Sequence, residues 1–358
     1  MTSTSVAIIG AGLAGLNAAR LLHRGGVDFQ LFEARERAGG RILTVGASGA
    51  PAEDGFDLGP SWYWPQMQPA IADLVAELAL PSFAQHSSGD MVFERQAGEG
   101  PQRFPGMRQE PESMRLVGGT AALVRALLRD LPQGALHFGT PVTALRLGAE
   151  GVTVTAGGRT LDARHVVLAL PPRLLAERIQ LHPAPWPQDL ARWKATATWM
   201  APHAKVVVLY DRPFWREAGF SGTAQSLVGP LGEIHDATTA SGKAALFGFS
   251  GVPARNRAAI GQHSLTRAVI QQLTRLFGPE AALPHATLVM DWAADPWTAT
   301  AADSTAGGHP APWRGEWVTG DWAGRLILAG SEASPENPGY LAGAVEASQR
   351  AARMIMAG

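Results

Sequence analysis

The segment from Val6 to Ala34 constrains the fold more than any other part of this sequence. Its apolar start, "VAII", ends at a glycine turn, and a helical pattern then runs to about His23. The next stretch, "VDFQLFEA", predicts a second strand that ends at Glu33 and Ala34. A strand, a helix and a strand in this order form a β-α-β unit, whose two strands pair in parallel. The chain is therefore predicted to belong to the α/β class.

The glycine turn of this unit has the spacing G-x-G-x-x-G and contains Ala11 at its first variable position. Gly10 permits the tight turn, Gly12 lets the backbone approach a pyrophosphate, and Gly15 lets the helix pack closely on the strand. Free N–H groups at the helix start attract phosphate oxygens. Glu33 closes the second strand where an acceptor for a ribose hydroxyl is expected, and its charge disfavours the extra phosphate of NADP. The turn therefore predicts a site for NAD or FAD.

Length and composition limit the remaining possibilities. The chain has 358 residues, which favours two domains, and its formal net charge of −1 argues against nucleic acid as a partner. The absence of cysteine excludes disulfides, thiolate catalysis, cysteine-bound metals and a flavin attached through cysteine. Neither a signal peptide nor an apolar run of roughly 20 residues is visible. We expect a cytoplasmic monomer or homodimer with no metal site and no membrane partner.

The sequence after the second strand, "EARERAGGR" from Glu33 to Arg41, resembles the FAD-dependent amine oxidase family, which includes monoamine and polyamine oxidases. The resemblance continues through "FDLGPSWYW", "TPVTAL" and "ARHVVLALPP". It is most specific in "LILAGSEASPENPGYLAGAVEASQRAA" near the C-terminus. The resemblance covers most of the chain and implies FAD as the cofactor.

The resemblance also implies roles for individual positions. Arg41 would bind the pyrophosphate, Arg35 would lie on the adenosine side, and Val142 would contact the adenine through its backbone. Glu332 would accept a hydrogen bond from a ribityl hydroxyl, and the helix that starts near Tyr340 would direct N–H groups at the pyrimidine edge of the flavin. The other positions assigned to the FAD site are Gly10, Ala11, Gly12, Gly15, Glu33, Ala34, Gly40, Gly59, Pro60, Ser61, Trp62, Trp292, Trp297, Gly330, Ser331, Leu341 and Ala344.

Lys205 occupies an unusual position for a lysine, because the residues that follow it, Val206 to Leu209, form an apolar strand. A lysine can reach a buried polar site on its apolar stem and change its pKa there. In the family that the sequence resembles, the strand before an "x-P-F-W" segment, here "RPFW", carries a lysine that holds a water beside flavin N5. The resemblance therefore implies that Lys205 is catalytic. A lysine that reaches solvent from a strand edge is the alternative.

The substrate face departs from the family pattern. Tyr340 matches one of the two aromatic rings that flank the amine in monoamine oxidases, and the resemblance implies that it too is catalytic. Ala302 stands where the second ring is expected, and Ala301 stands where a cysteine usually attaches the flavin. We therefore expect non-covalent FAD and a substrate pocket in which Trp62 or Trp64 supplies the missing ring.

The predicted architecture is a Rossmann-type FAD-binding domain with a discontinuous α+β substrate domain. The FAD-binding domain is expected to comprise residues 1–64, 114–174 and 286–358, and the substrate domain residues 65–113 and 175–285. The apolar strand "HVVLAL" stops at two prolines, as a central strand of an α/β sheet does. The resemblance implies that the chain passes from the FAD-binding domain to the substrate domain after this strand. Because the chain is shorter than typical family members, a reduced substrate domain is expected.

The predicted function is the oxidation of a small-molecule amine by FAD. The amine becomes an imine and water hydrolyses the imine. In an oxidase O2 then reoxidises the flavin with release of H2O2, and whether the enzyme is an oxidase or a dehydrogenase stays open. Two alternatives stay open at this point. One is a flavin-dependent desaturase or oxidase that acts on a C–C bond and lacks the lysine–tyrosine pair. The other is an FAD-binding protein without catalysis, which no amine would reduce.

Overall fold

A computed structural model describes residues 3–106, 110–304 and 308–357 of the chain. Residues 1–2, 107–109, 305–307 and 358 fall within the predicted domain ranges and lie outside the described residues. The strands are β1 Ser3–Ile9, β2 Phe29–Phe32, β3 Thr44–Val45, β4 Phe56–Asp57, β5 Ser82–Ala84, β6 Asp90–Glu94, β7 Gln102–Phe104, β8 Met114–Leu116, β9 Leu136–His137, β10 Val142–Leu147, β11 Val152–Ala156, β12 Arg159–Leu168, β13 Gln180–His182, β14 Ala204–Tyr210, β15 Phe220–Ser226, β16 Leu231–Asp236, β17 Ala244–Ser250, β18 Ala286–Asp291 and β19 Leu326–Leu328. The α-helices are α1 Leu13–Arg24, α2 Pro69–Glu77, α3 Ala121–Arg129, α4 Pro172–Arg178, α5 Pro187–Ala195, α6 Phe214–Glu217, α7 Ala254–Phe277 and α8 Leu341–Ala357.

The first sheet has eight strands and contains the N-terminal β-α-β unit. Its parallel part has the order β9-β2-β1-β12-β19, and β11, β10 and β13 continue it from the first half of β12. Strand β1 is buried on both faces, because Val6 and Ile8 pack into one core and Ala7 and Ile9 into another. A strand with two buried faces is typical of the centre of a parallel sheet. The predicted α/β class is confirmed.

The two ends of the chain meet on one face of this sheet. Helix α1 packs against the C-terminal helix α8, where Leu16 and Val345 share one core. Asn17 Nδ2 donates a hydrogen bond to Ser348 Oγ at 2.8 Å in the same interface. The glycine turn and the C-terminal motif are far apart in sequence, and this packing brings them side by side.

The second sheet has seven strands in the order β18-β14-β17-β16-β15-β6-β7. Strand β14 lies between β17 and β18, and all of its residues are buried. Its alternate residues face two ways: Val206 and Val208 share a core with helix α7, whereas Val207 and Leu209 pack with Phe56 and Leu58 of the first half of the chain. Lys205 therefore lies inside the sheet, and the alternative of a strand-edge lysine in solvent is wrong.

Three segments differ from the expected domain boundaries. Strand β18 pairs with β14 in the second sheet, although the sequence analysis expects residues 286–291 in the FAD-binding domain. Strand β13 pairs with β10 of the first sheet, and α2 packs Ile71 and Leu74 into the core under that sheet. The expected boundaries follow prolines and local composition, whereas partners distant in sequence decide which sheet a segment joins. We propose a division in which each element belongs to the sheet on which it packs.

Within the described ranges, no helix combines the length and the apolar character that crossing a bilayer requires.

Candidate active site

A cavity of about 540 Å³ lies between the two sheets. The first sheet contributes the glycine turn after β1 and Glu33 after β2, and the second contributes Lys205 of β14 and Phe247 of β17. Of the positions that the sequence analysis assigns to cofactor, substrate and catalysis, Ala11, Gly15 and Glu332 do not line the cavity, and all the others do. The fold thus collects side chains from both ends and the middle of the sequence around one space.

The glycine turn forms one wall of the cavity. Gly10 has a φ of +104°, a conformation that glycine adopts readily and other residues rarely do. A Cβ on Gly15 would lie 1.8 Å from the Gly10 carbonyl oxygen, so only a glycine lets α1 pack this close to the turn. A Cβ on Gly12 would meet no atom within 4 Å apart from those of Gly12 itself and its two neighbours in the chain. Gly10 and Gly15 therefore build the turn, and Gly12 leaves open space beside the start of α1.

Glu33 stabilises this turn through hydrogen bonds to backbone N–H groups. One carboxylate oxygen accepts a hydrogen bond from Ala11 N–H at 2.7 Å, and the other accepts one from Arg35 N–H at 2.9 Å. Each oxygen of a carboxylate has a second acceptor position, so a ribose hydroxyl remains compatible with Glu33. The Arg35 side chain lies between two carboxylates, since its Nη1 is 3.8 Å from Glu33 Oε1 and its Nη2 donates to Asp295 Oδ1 at 2.8 Å and to Thr298 Oγ1 at 2.9 Å.

Arg41 and Glu332 form an ion pair that joins the two ends of the chain. Arg41 Nη1 lies 2.6 Å from Glu332 Oε1, and Nη2 lies 3.1 Å from Oε2 and 2.9 Å from Ser331 Oγ. Burial alone would raise the pKa of Glu332, but the Arg41 guanidinium, together with hydrogen bonds from Ser331 and the backbone, holds that pKa below its usual range. Arg41 lines the cavity and Glu332 does not. The direct effect of Glu332 is therefore to orient Arg41.

Lys205 lies in the cavity wall formed by the second sheet. Its Nζ donates to the Gly59 carbonyl oxygen at 3.0 Å and to Ser61 Oγ at 2.6 Å, and it lies 4.1 Å from the centroid of the Phe247 ring. The side chain is only 2% exposed. This burial lowers the pKa of Lys205 to about 7. The protonated and neutral forms of Lys205 therefore coexist near neutral pH.

Aromatic side chains surround Tyr340, but not as a parallel pair. The Tyr340 ring centroid lies 6.5 Å from Trp64 at an interplanar angle of 86°, 6.2 Å from Trp199 at 54°, and 5.0 Å from His309 at 39°. Trp62 lies 6.4 Å from Trp64, in a second layer. Trp64 is therefore in contact with Tyr340, as one of the two predicted options requires, and Trp199 and His309 are further neighbours.

The two tryptophans that follow β18 both line the cavity. Trp292 is buried and its Nε1 donates to the Leu58 carbonyl oxygen at 3.1 Å, whereas Trp297 is 37% exposed. Ala301 and Ala302 are not among the lining residues. The segment thus contributes two rings to the cavity and no group at the position of the usual cysteine.

A carboxylate lies on the same sheet face as Lys205. Phe249 pairs with Lys205 on one side and with Glu233 on the other, so the three residues form a row across β14, β17 and β16. Two strand spacings put the Cα atoms of Lys205 and Glu233 about 10 Å apart. His235 Nε2 lies 2.5 Å from Glu233 Oε1, and this hydrogen bond holds the pKa of Glu233 below its usual range.

The cavity residues that sequence reasoning misses include Trp199, Met200, Glu233, Phe247 and Phe249. The alternation in "LGEIHD" and "ALFGFS" carries a signal for three of them, because every second residue of a strand faces the same way. Trp199 and Met200 lie in the loop before β14, where the Trp199 carbonyl oxygen accepts from Arg41 Nη1 at 3.1 Å. No local pattern distinguishes that loop.

Comparison with known proteins gives a consistent result. The profile of the family described as flavin containing amine oxidoreductase matches residues 92–356, and that of the NAD(P)-binding Rossmann-like domain matches residues 8–78. A Mycobacterium tuberculosis protein whose name proposes a flavin-containing monoamine oxidase, AofH, is 28% identical over 458 aligned positions that cover 99% of this chain and 97% of the relative. This chain has 358 residues, so the relative carries insertions.

Solved structures share the fold. Putrescine oxidase bound to putrescine matches with a TM-score of 0.83 at 22% identity, over 99% of both chains. Cyclohexylamine oxidase from Brevibacterium oxydans IH-35A matches with a TM-score of 0.81 at 24% identity, again over 99% of both chains. The family profile spans more than half of the sequence, so the chain belongs to the flavin-containing amine oxidoreductase family. It is a flavoprotein oxidoreductase, as the sequence resemblance predicts.

Proposed function

We propose that this chain binds FAD non-covalently in the cavity and oxidises an amine to an imine. Water then hydrolyses the imine, and O2 takes up the electrons to give H2O2. The observation that carries the proposal is Lys205, a buried lysine whose Nζ is fixed against Gly59 and Ser61 in the cavity wall. The absence of cysteine from the sequence supports non-covalent attachment.

The side chains and backbone of the cavity fit FAD. Gly12 leaves space beside the start of α1, where unpaired helix N–H groups attract phosphate. Arg41 lines the cavity beside this space and would attract the same phosphates through its positive charge, while its Nη donors bind Glu332, Ser331 and the Trp199 carbonyl. Leu341, the first residue of α8, also lines the cavity and directs a second helix N-terminus toward it. We propose that the first two features hold the pyrophosphate and that α8 faces the flavin.

FAD, when bound, supplies the acceptor for the hydride that leaves the substrate. The contribution of the chain is to orient the amine and to set its charge. Trp64, Trp199 and Tyr340 give this part of the cavity an apolar wall, which favours the neutral form of an amine. A protonated Lys205 Nζ would stabilise the negative charge that develops on O2 as it takes up electrons.

We further propose that the substrate carries a second cationic group. The Glu233 side chain is 51% exposed and faces the cavity from the row that also holds Lys205. A linear diamine of a few carbons could place one nitrogen near Lys205 and the other near this carboxylate. Putrescine, the ligand named for one structural relative, is a molecule of this kind.

A flavin enzyme that acts on a C–C bond is the main competing function, and Lys205 discriminates between the two. In the FAD-loaded protein, Lys205→Met should slow reoxidation of photoreduced flavin by O2 about tenfold or more, because the positive charge is lost. Stopped-flow absorbance near about 450 nm, the flavin band, measures this rate. Lys194→Met provides the control, since Lys194 is exposed and lies outside the cavity. Reoxidation of Lys205→Met at the rate of the control would favour the C–C enzyme.

A further inference from the structure

Three groups converge on the amino group of Lys205, and we call them the seat: the Gly59 carbonyl, the Ser61 hydroxyl and the Phe247 ring. The distances from Nζ are 3.0 Å to Gly59 O, 2.6 Å to Ser61 Oγ and 4.1 Å to the Phe247 centroid. Ser61 is itself buried, with 8% of it exposed. A Cβ on Gly59 would lie 1.9 Å from the Arg41 carbonyl oxygen, so this loop is packed tightly against the chain around Arg41.

The seat contains no carboxylate. Among the residues that the structure describes, none forms a salt bridge with Lys205. Asp57 on β4 favours the ammonium from a distance and Arg115 on β8 disfavours it. Glu233 lies beyond Phe249 in the same row, and His203 precedes β14 in the cavity wall. The groups in direct contact with Nζ are therefore two neutral oxygen acceptors and one aromatic face.

These contacts distinguish the two protonation states of the amine. An ammonium has three N–H donors, two for the oxygens and one for the electron-rich face of Phe247. A neutral amine also has donors for both oxygens, but its lone pair would then be directed at the same ring face, which is unfavourable. The seat therefore opposes the effect of burial, which favours the neutral amine.

We infer that Ser61 is a positioning residue for Lys205, and that the seat fixes the direction of Nζ and favours its protonated form. The role of this charge in catalysis rests on the proposed function, but the seat itself does not. The sequence resemblance implies only that Ser61 contacts the flavin. The inference adds that Ser61 acts on the reaction through Lys205.

The composition of the chain makes a direct measurement practical, because its lysines are Lys194, Lys205 and Lys243 alone. In the FAD-loaded protein labelled with ¹³C-lysine, an NMR titration should resolve each lysine, and Lys205→Met assigns the third signal. Ser61→Ala should lower the pKa of Lys205 by on the order of one pH unit, since a hydrogen bond to the charged form is lost. Ser61→Thr, which keeps the hydroxyl, should restore a value near that of the wild type.

A second pair of variants tests the aromatic part of the seat. Phe247→Leu should lower the pKa of Lys205, whereas Phe249→Leu should change it less, because the Phe249 centroid lies 5.8 Å from Nζ. An unchanged pKa in both Ser61→Ala and Phe247→Leu would overturn the inference, even if both variants lose thermal stability. If Ser61→Ala does not fold, Phe247→Leu and its control decide alone. A flavin that no amine reduces would contradict the proposed function and leave this titration valid.

Discussion

The charge of Lys205 depends on pH in the neutral range, because burial in β14 lowers its pKa to about 7. The ammonium prevails below that pH and the neutral amine above it. If the ammonium assists O2, the rate constant for flavin reoxidation should fall as the pH rises through about 7. Lys205→Met should give a slow rate with no such step. A wild-type rate that stays level or rises from about pH 6 to pH 9 would show that the ammonium is not the helpful form.

Glu233 makes a separate prediction about substrate choice. Glu233→Gln should raise KM for a linear diamine about tenfold, because a charge-assisted contact is lost, and should leave KM for a monoamine of equal length nearly unchanged. Steady-state peroxide release measures both constants. Glu217→Gln is a matched control, since Glu217 is an exposed carboxylate on α6 outside the cavity. Equal effects of Glu233→Gln on diamine and monoamine would argue against a second cationic group.

Single residues also show which part of the site the sequence can predict. Lys205 is recognisable because a charged residue interrupts an apolar strand next to "RPFW". Glu233 and Phe249 are not recognisable in this way, because their proximity to Lys205 depends on the register of β16 and β17. Trp199 depends on a loop that is held by Arg41 from a remote part of the chain.

At the scale of elements, the glycine turn that joins β1 to α1 contains one glycine, Gly15, that folding requires and another, Gly12, that the proposed cofactor binding requires. Gly15→Ala should destabilise the protein by about 1–3 kcal/mol, because its Cβ would overlap the Gly10 carbonyl. Gly12→Ala should fold with the melting temperature of the wild-type apoprotein, because its Cβ meets no atom beyond those of its chain neighbours. The same Cβ occupies the proposed phosphate position, so FAD affinity should fall about tenfold or more.

Melting curves without FAD and fluorescence titrations with FAD test both halves of this prediction. If Gly12→Ala binds FAD with the affinity of the wild type, the phosphates do not lie beside Gly12. A wild-type melting temperature in Gly15→Ala would show that the close packing of α1 is not required.

The β-α-β unit is predictable because strand, turn and helix are local in sequence and each has its own pattern. The sequence does not predict which sheet β18 joins or on which sheet α2 packs, since β18 pairs with β14 and α2 packs into a core shared with α1 and α8. Such contacts depend on residues distant in sequence, so local composition does not predict them.

At the scale of the molecule, the cavity exists because two sheets and both chain ends converge. The ion pair between Arg41 and Glu332 and the contact between α1 and α8 hold the N- and C-terminal segments together on the first sheet. Lys205 approaches from the second sheet. The glycine turn reaches the cavity from the first sheet and Lys205 from the second, so the residues that line it are spread over most of the chain.

The central claim is that an amine delivers its electrons to a flavin bound in this cavity. It is tested most directly by mixing the FAD-loaded protein without oxygen with a set of monoamines, diamines and amino acids. We expect the absorbance near about 450 nm to bleach with at least one amine, and at lower concentration with diamines than with monoamines. The claim would be contradicted if the protein binds FAD and dithionite reduces the bound flavin, but no amine in the set bleaches it.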